Sequence, residues 1–119
     1  MLRSLRRTLW QQEKPKMATF IVLISFTGEG VRDVKDTLKQ AETFKEAAGK
    51  YGVSVRDIHW TLGQFDMVAT MEGPDDWSVT ALTLAVSAAG NIRTQTLRAF
   101  DTGEMKLILD KVASARAAF

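Results

Sequence analysis

The chain holds one histidine, His59, two residues after Asp57 and seven before Asp66. An imidazole beside a carboxylate is a pairing suited to general base chemistry, because the carboxylate holds one tautomer and favours the protonated ring. Asp66 is a second candidate base. Trp60, Thr61 and Gln64 surround these two in sequence and complete a candidate ligand-binding stretch. Thr94, Thr96 and Arg98 form a polar row further on, where Arg98 could hold an anionic ligand. Each has a plainer reading. His59 fits a strand histidine bonded to a neighbour or to water. Asp66 fits a cross-strand hydrogen bond that pins a hairpin. Arg98 fits an exposed edge or a salt bridge between subunits. Trp60 and Trp77 read as core residues before they read as stacking platforms.

Other chemistries find little purchase. There is no cysteine, so disulfides, thiolate metal sites and cysteine nucleophiles are excluded. One histidine with scattered carboxylates matches no metal-ligand spacing, and His59 as a haem ligand would need an apolar pocket beside it. Neither metal nor cofactor is therefore expected. Gly28-Glu29-Gly30 precedes a helical pattern as a phosphate loop would, but the later glycine and lysine are missing. No serine and histidine spacing suggests a triad.

The elements that must position these residues follow from periodicity. Thr19 to Thr27 is the strongest strand signal, apolar on both faces: Phe20, Val22, Ile24 and Phe26 on one, Ile21 and Leu23 on the other. From Val31 to Tyr51 apolar residues recur every three or four positions, which predicts one long amphipathic helix closed at Gly52. A heptad reading is the alternative. Ile58 to Ala69 reads as a hairpin with a two-residue turn at Gly63-Gln64, setting Trp60 opposite Met67 and His59 opposite Val68. A three- or four-residue loop remains open. Ile58, Trp60, Leu62, Phe65, Met67, Ala69 and Met71 then share an apolar face, with Asp57, His59, Thr61, Asp66, Val68 and Thr70 on the other.

Asp75 or Asp76 caps a second helix from about Trp77 to Ala89, with Val79, Leu82, Ala85, Val86 and Ala89 on its buried side. Gly90-Asn91 ends it. Ile92 to Phe100 alternates as a fourth strand. Asp101 and Glu104 form a capping box for a last helix whose stripe is Met105, Ile108, Leu109 and Val112, with Ser114 to Phe119 expected to fray.

Residues 1–16 stand apart. They hold five basic residues against one acidic, whereas residues 17–119 hold eleven basic and thirteen acidic, so the basic balance belongs to the leader. The leader reads as a disordered or upstream-start segment, with Met17 as the natural beginning, or as a transit peptide, or as an amphipathic docking tag. Without a basic stripe in the folded part, no nucleic acid partner is expected. No apolar run reaches the length of a membrane span. The expectation is a single cytoplasmic domain over 17–119.

The order β-α-β-β-α-β plus a terminal helix predicts an α+β, ferredoxin-like fold with a four-stranded antiparallel sheet. Both crossover helices fall on one face. The first strand is apolar on both, so the other face asks for a second layer, and a second copy of the same sheet supplies it. A monomer with a semi-polar open face is the alternative.

Three segments in order, Ala18-Thr19-Phe20-Ile21-Val22-Leu23, Ile58 to Asp66 and Asn91 to Phe100, resemble the GYD domain family over about residues 17–112. The family's glycine–aromatic–aspartate signature falls on Gly63, Phe65 and Asp66, with Gln64 between. Phe65 replaces the usual tyrosine, which favours packing over any role for a phenol hydroxyl. The resemblance implies the dimeric α/β-barrel superfamily, whose relatives include cofactor-free monooxygenases, isomerases, haem-dependent enzymes and ligand-sensing domains. It carries fold and assembly better than function. The leading expectation is a homodimeric or higher homo-oligomeric domain that binds a small organic ligand between sheet and helices. The alternatives are a cofactor-free enzyme using His59 or Asp66 as base, and an assembly protein using the basic leader.

Overall fold

A computed structural model describes residues 17–116. The leader therefore lies outside the described residues, as does the end of the segment expected to fray. The elements are β1 (Ala18–Phe26), α1 (Gly28–Arg32), a 3-10 turn (Val34–Asp36), α2 (Thr37–Lys50), β2 (Ser54–Trp60), β3 (Met67–Gly73), α3 (Asp76–Ser87), β4 (Ile92–Ala99) and α4 (Thr102–Arg116). The four strands form one antiparallel sheet in the order β2-β3-β1-β4. This is the expected ferredoxin-like arrangement with a C-terminal helix.

β1 lies between β3 and β4 and is apolar on both faces. Phe20, Val22 and Ile24 are buried on the helix side, with Met67, Ala69 and Met71 of β3 beside them. Ala48 of α2, Val53, and Val79 and Leu82 of α3 complete the core. On the opposite face, Ile21 pairs with Thr70 and Leu97, and Leu23 with Val68 and Gln95. Among the described residues no helix packs on that side, and Ile21, Leu23 and Val68 are half-buried.

Local signals act where expected. Gly52, Gly63 and Gly90 all take positive φ, the backbone region that side chains with a Cβ avoid. The Asp75 carboxylate caps α3 through the Ser78 N–H at 2.7 Å. The Asp101–Glu104 capping box forms in both directions, at 2.7 and 3.2 Å.

Three expectations are corrected. The helix predicted from Val31 to Tyr51 is broken into α1, the 3-10 turn and α2. Thr27 caps α1, and Gly30 packs so closely on the Asn91 carbonyl that a Cβ would meet its oxygen at 2.0 Å. The chain must then turn before α2 can run along the sheet. Val31, Val34 and Leu38 consequently lie exposed rather than on a buried stripe.

The hairpin keeps its register, with Trp60 opposite Met67 and His59 opposite Val68, but its strands stop there. Residues 61–66 form a longer loop, closed by the Thr61 N–H on the Asp66 carbonyl. Asp66 is drawn away to β1, where its N–H donates to the Ile24 carbonyl. Leu62, expected on the apolar face, is fully exposed at the loop tip.

Trp77 and Trp60, both expected in the core, are exposed, Trp77 86% on the first turn of α3 and Trp60 42% at the end of β2. α4 is helical through Arg116, and residues 117–119 lie outside the described residues.

Candidate functional site

α2 and α3 lie side by side on the sheet but meet over only a short stretch. Between them is a cleft of about 580 Å³. Its floor is Val22, Ile24, Phe26, Met67, Ile92 and Thr94. One wall is Gln40, Ala41, Thr43, Phe44 and Ala47 from α2, and the other is Thr83, Ala85, Val86 and Ala89 from α3 and the residues after it. Asp36, Thr37 and Lys39 also border it, at the start of α2. The cleft exists because small residues face one another. Protein interiors close to crystal-like density when side chains are large enough to interdigitate, and four alanines across this gap are not. Ala85 and Ala89, expected on the buried side of their helix, border this opening instead.

The lining is mostly apolar, with neutral polar groups along it and Asp36 and Lys39 at one end. The Thr43 hydroxyl donates to the Lys39 carbonyl at 3.1 Å and the Thr83 hydroxyl to the Thr80 carbonyl at 3.0 Å. Among the described residues, no buried side-chain polar atom lacks a partner. The volume suits a small organic molecule held by shape and apolar contact, with Thr94 and Gln40 placed to orient it.

The structure disperses the sequence candidates. Thr94 lines the cleft. Thr96 and Arg98 share its face of the sheet, since Thr96 pairs with Val22 and Arg98 with Phe20, but neither lines it. Arg98 is already occupied. Its guanidinium pairs with Glu104 at 2.8 Å, donates to the Thr19 and Ala99 carbonyls, and lies 4.6 Å from the Phe100 ring centroid.

His59 lies on the opposite face, with its side chain 71% exposed. Its Nδ1 is 3.6 Å from an Asp57 oxygen, too long for a hydrogen bond. Asp66 sits at the end of the loop with its carboxylate accepting the Phe26 N–H at 2.7 Å. The Thr61 hydroxyl donates to the Phe65 carbonyl, and Gln64 is exposed at the tip. The Trp60 indole donates to the Thr37 hydroxyl at 2.9 Å and so ties β2 to the first turn of α2. Ile58 and Met67, one from each hairpin strand, do reach the cleft. Among the described residues, no group of three or more histidines and carboxylates lies close enough to hold a metal ion.

Sequence reasoning missed Phe44, Gln40, Thr83 and Val86 as lining residues. The signal available was the pairing of alanine-rich helix faces, Ala41 and Ala47 against Ala85 and Ala89, which no periodicity argument weighs. No helix among the described residues is long and apolar enough to cross a membrane.

Comparison with known proteins adds the family. No curated protein matches the chain. The GYD domain model matches residues 20–109, from β1 through the first half of α4 and across every strand that floors the cleft. That match spans most of the chain, and the protein belongs to the GYD domain family.

Proposed function

We propose that the protein is a homodimeric domain that binds a small, largely apolar organic molecule in the cleft between α2 and α3. The cleft carries this reading. An opening of about 580 Å³ over the core, lined mostly by apolar side chains, is large enough for such a molecule. The ligand is neutral or carries its charge toward the Asp36 and Lys39 end, since the floor offers no ionised group. Native mass spectrometry of protein purified from its own host should find one small molecule retained. Ala47→Phe, which fills the cleft, should abolish binding of that molecule or of the fluorescent probe 1-anilinonaphthalene-8-sulfonate. Equal probe binding by the filled variant would refute the site.

The dimer is supported by the open sheet face, where, among the described residues, no helix covers the half-buried Ile21, Leu23 and Val68 or the exposed Leu97. Apolar area contributes about 25 cal/mol per Å² removed from water, so pairing two such faces is favourable. The cofactor-free enzyme has less behind it, because neither His59 nor Asp66 lines the cleft. The assembly reading rests on the leader, which lies outside the described residues.

A further inference from the structure

Among the described residues, α4 packs along no other element. None of its residues is buried, and no extended contact with strand or helix holds it. Yet it is amphipathic. Met105, Ile108, Leu109 and Val112 form one stripe at helical spacing. Leu109 on the stripe is 54% exposed, close to the 65% of Leu107 on the opposite, charged side. The stripe is therefore largely open, with Met105 and Val112 44% and 52% exposed and Ile108 half-buried.

The chain cannot cover this stripe with its own open sheet face. Only Phe100 and Asp101 separate β4 from α4. Arg98 projects from the helix side of the sheet, beside Phe20, and holds Glu104 at 2.8 Å. The capping box then sets the direction of the first turn. Together these tether the start of α4 away from Ile21 and Leu23.

We propose that α4 is an exchanged arm, whose Met105–Val112 stripe packs on a second copy of this chain. The inference rests on the homodimer proposed above and extends it. A second copy is favoured over other occupants by area. Four strands about 4.8 Å apart, eight residues long at about 3.3 Å each, give the open sheet face a footprint of about 500 Å². A stable pair typically buries about 800 Å² per partner. A fifteen-residue helix is about 22 Å long and about 10 Å wide. Giving one such face and receiving another brings each subunit to the required size, and a twofold axis makes the exchange reciprocal. Charge argues against a membrane surface. Glu104, Lys106, Asp110 and Lys111 mix both signs around the helix, with no basic face for anionic lipid.

Sedimentation equilibrium on the full chain tests this with three variants. Leu109→Asp with Val112→Asp should weaken the dimer about tenfold or more, whereas Leu107→Asp on the charged side should leave it unchanged. Leu97→Asp on the open sheet face should also weaken it. Because α4 lies outside the core, circular dichroism should report intact folding in the α4 variants. A dimer indifferent to the stripe variant but weakened by Leu97→Asp would overturn the arm and keep the sheet pairing. Loss with the stripe variant alone would keep the arm and remove the sheet pairing. Equal loss with Leu107→Asp would overturn the arm, and a wild-type monomer at all concentrations would overturn both.

Discussion

The Asp66 carboxylate accepts the Phe26 N–H at 2.7 Å, across forty residues of sequence. The residue that ends the hairpin loop therefore also closes the C-terminal end of β1, and the Asp66 N–H on the Ile24 carbonyl continues the ladder beyond Met67. Asp66 is thus held from both sides: its carbonyl accepts the Thr61 N–H across the loop, while its N–H and carboxylate bind β1.

Removing that carboxylate should be felt by the whole fold. Asp66→Ala is expected to cost about 1–2 kcal/mol, because the half-buried Phe26 N–H loses a charged acceptor. Asp66→Asn should cost less, as the amide oxygen still accepts. Urea denaturation of the three proteins, read as midpoint shifts at constant slope, checks the order.

Gly30 and Gly28 should behave oppositely. A Cβ on Gly30 meets the Asn91 carbonyl oxygen at 2.0 Å, while one on Gly28 meets nothing within 4 Å. Gly30→Ala is expected to destabilise by about 1–3 kcal/mol, since backbone rather than a flexible side chain must move. Gly28→Ala should be neutral or slightly stabilising, by less than about 1 kcal/mol. Thermal melts of both variants decide it.

Arg98 holds α4 to the sheet. Arg98→Ala removes the Glu104 pair, two carbonyl bonds and the contact with Phe100. The partly exposed ion pair limits the cost to about 1 kcal/mol. Amide hydrogen exchange should accelerate in the first turn of α4 while β1 and β3 stay protected. Equal acceleration in the core strands would show that the pair supports the whole domain.

Filling the cleft should trade binding for stability. Ala47→Leu places three more carbon atoms against Phe44 and the sheet floor, and burial of each contributes up to about 0.8 kcal/mol. The variant should melt higher than wild type and bind its ligand more weakly. A lower melting temperature would mean that the cleft is too tight for the added volume.

Much of this was legible in the residues. The two-faced apolarity of Thr19 to Thr27 is a period-two property, and it put β1 at the centre of the sheet. The positive-φ glycines at 52, 63 and 90, the Asp75 cap and the Asp101–Glu104 box are decided within a few residues of chain. So is the register that sets His59 opposite Val68. These rest on local sterics and short-range hydrogen bonds, which sequence neighbours determine by themselves.

The site was decided elsewhere. Whether α2 and α3 close on one another depends on the volumes of Ala41, Ala47, Ala85 and Ala89, which meet only after the sheet has formed. Arg98 reads as a free cation until Glu104 and two carbonyls are brought to it, and Asp66 reads as a free base until β1 arrives. The break after α1 follows from Gly30 lying against Asn91, sixty-one positions away. Spacing along a chain reports which way a side chain points. What it points at is fixed by the packing of distant elements, so only the tertiary structure opened the cleft and left α4 bare.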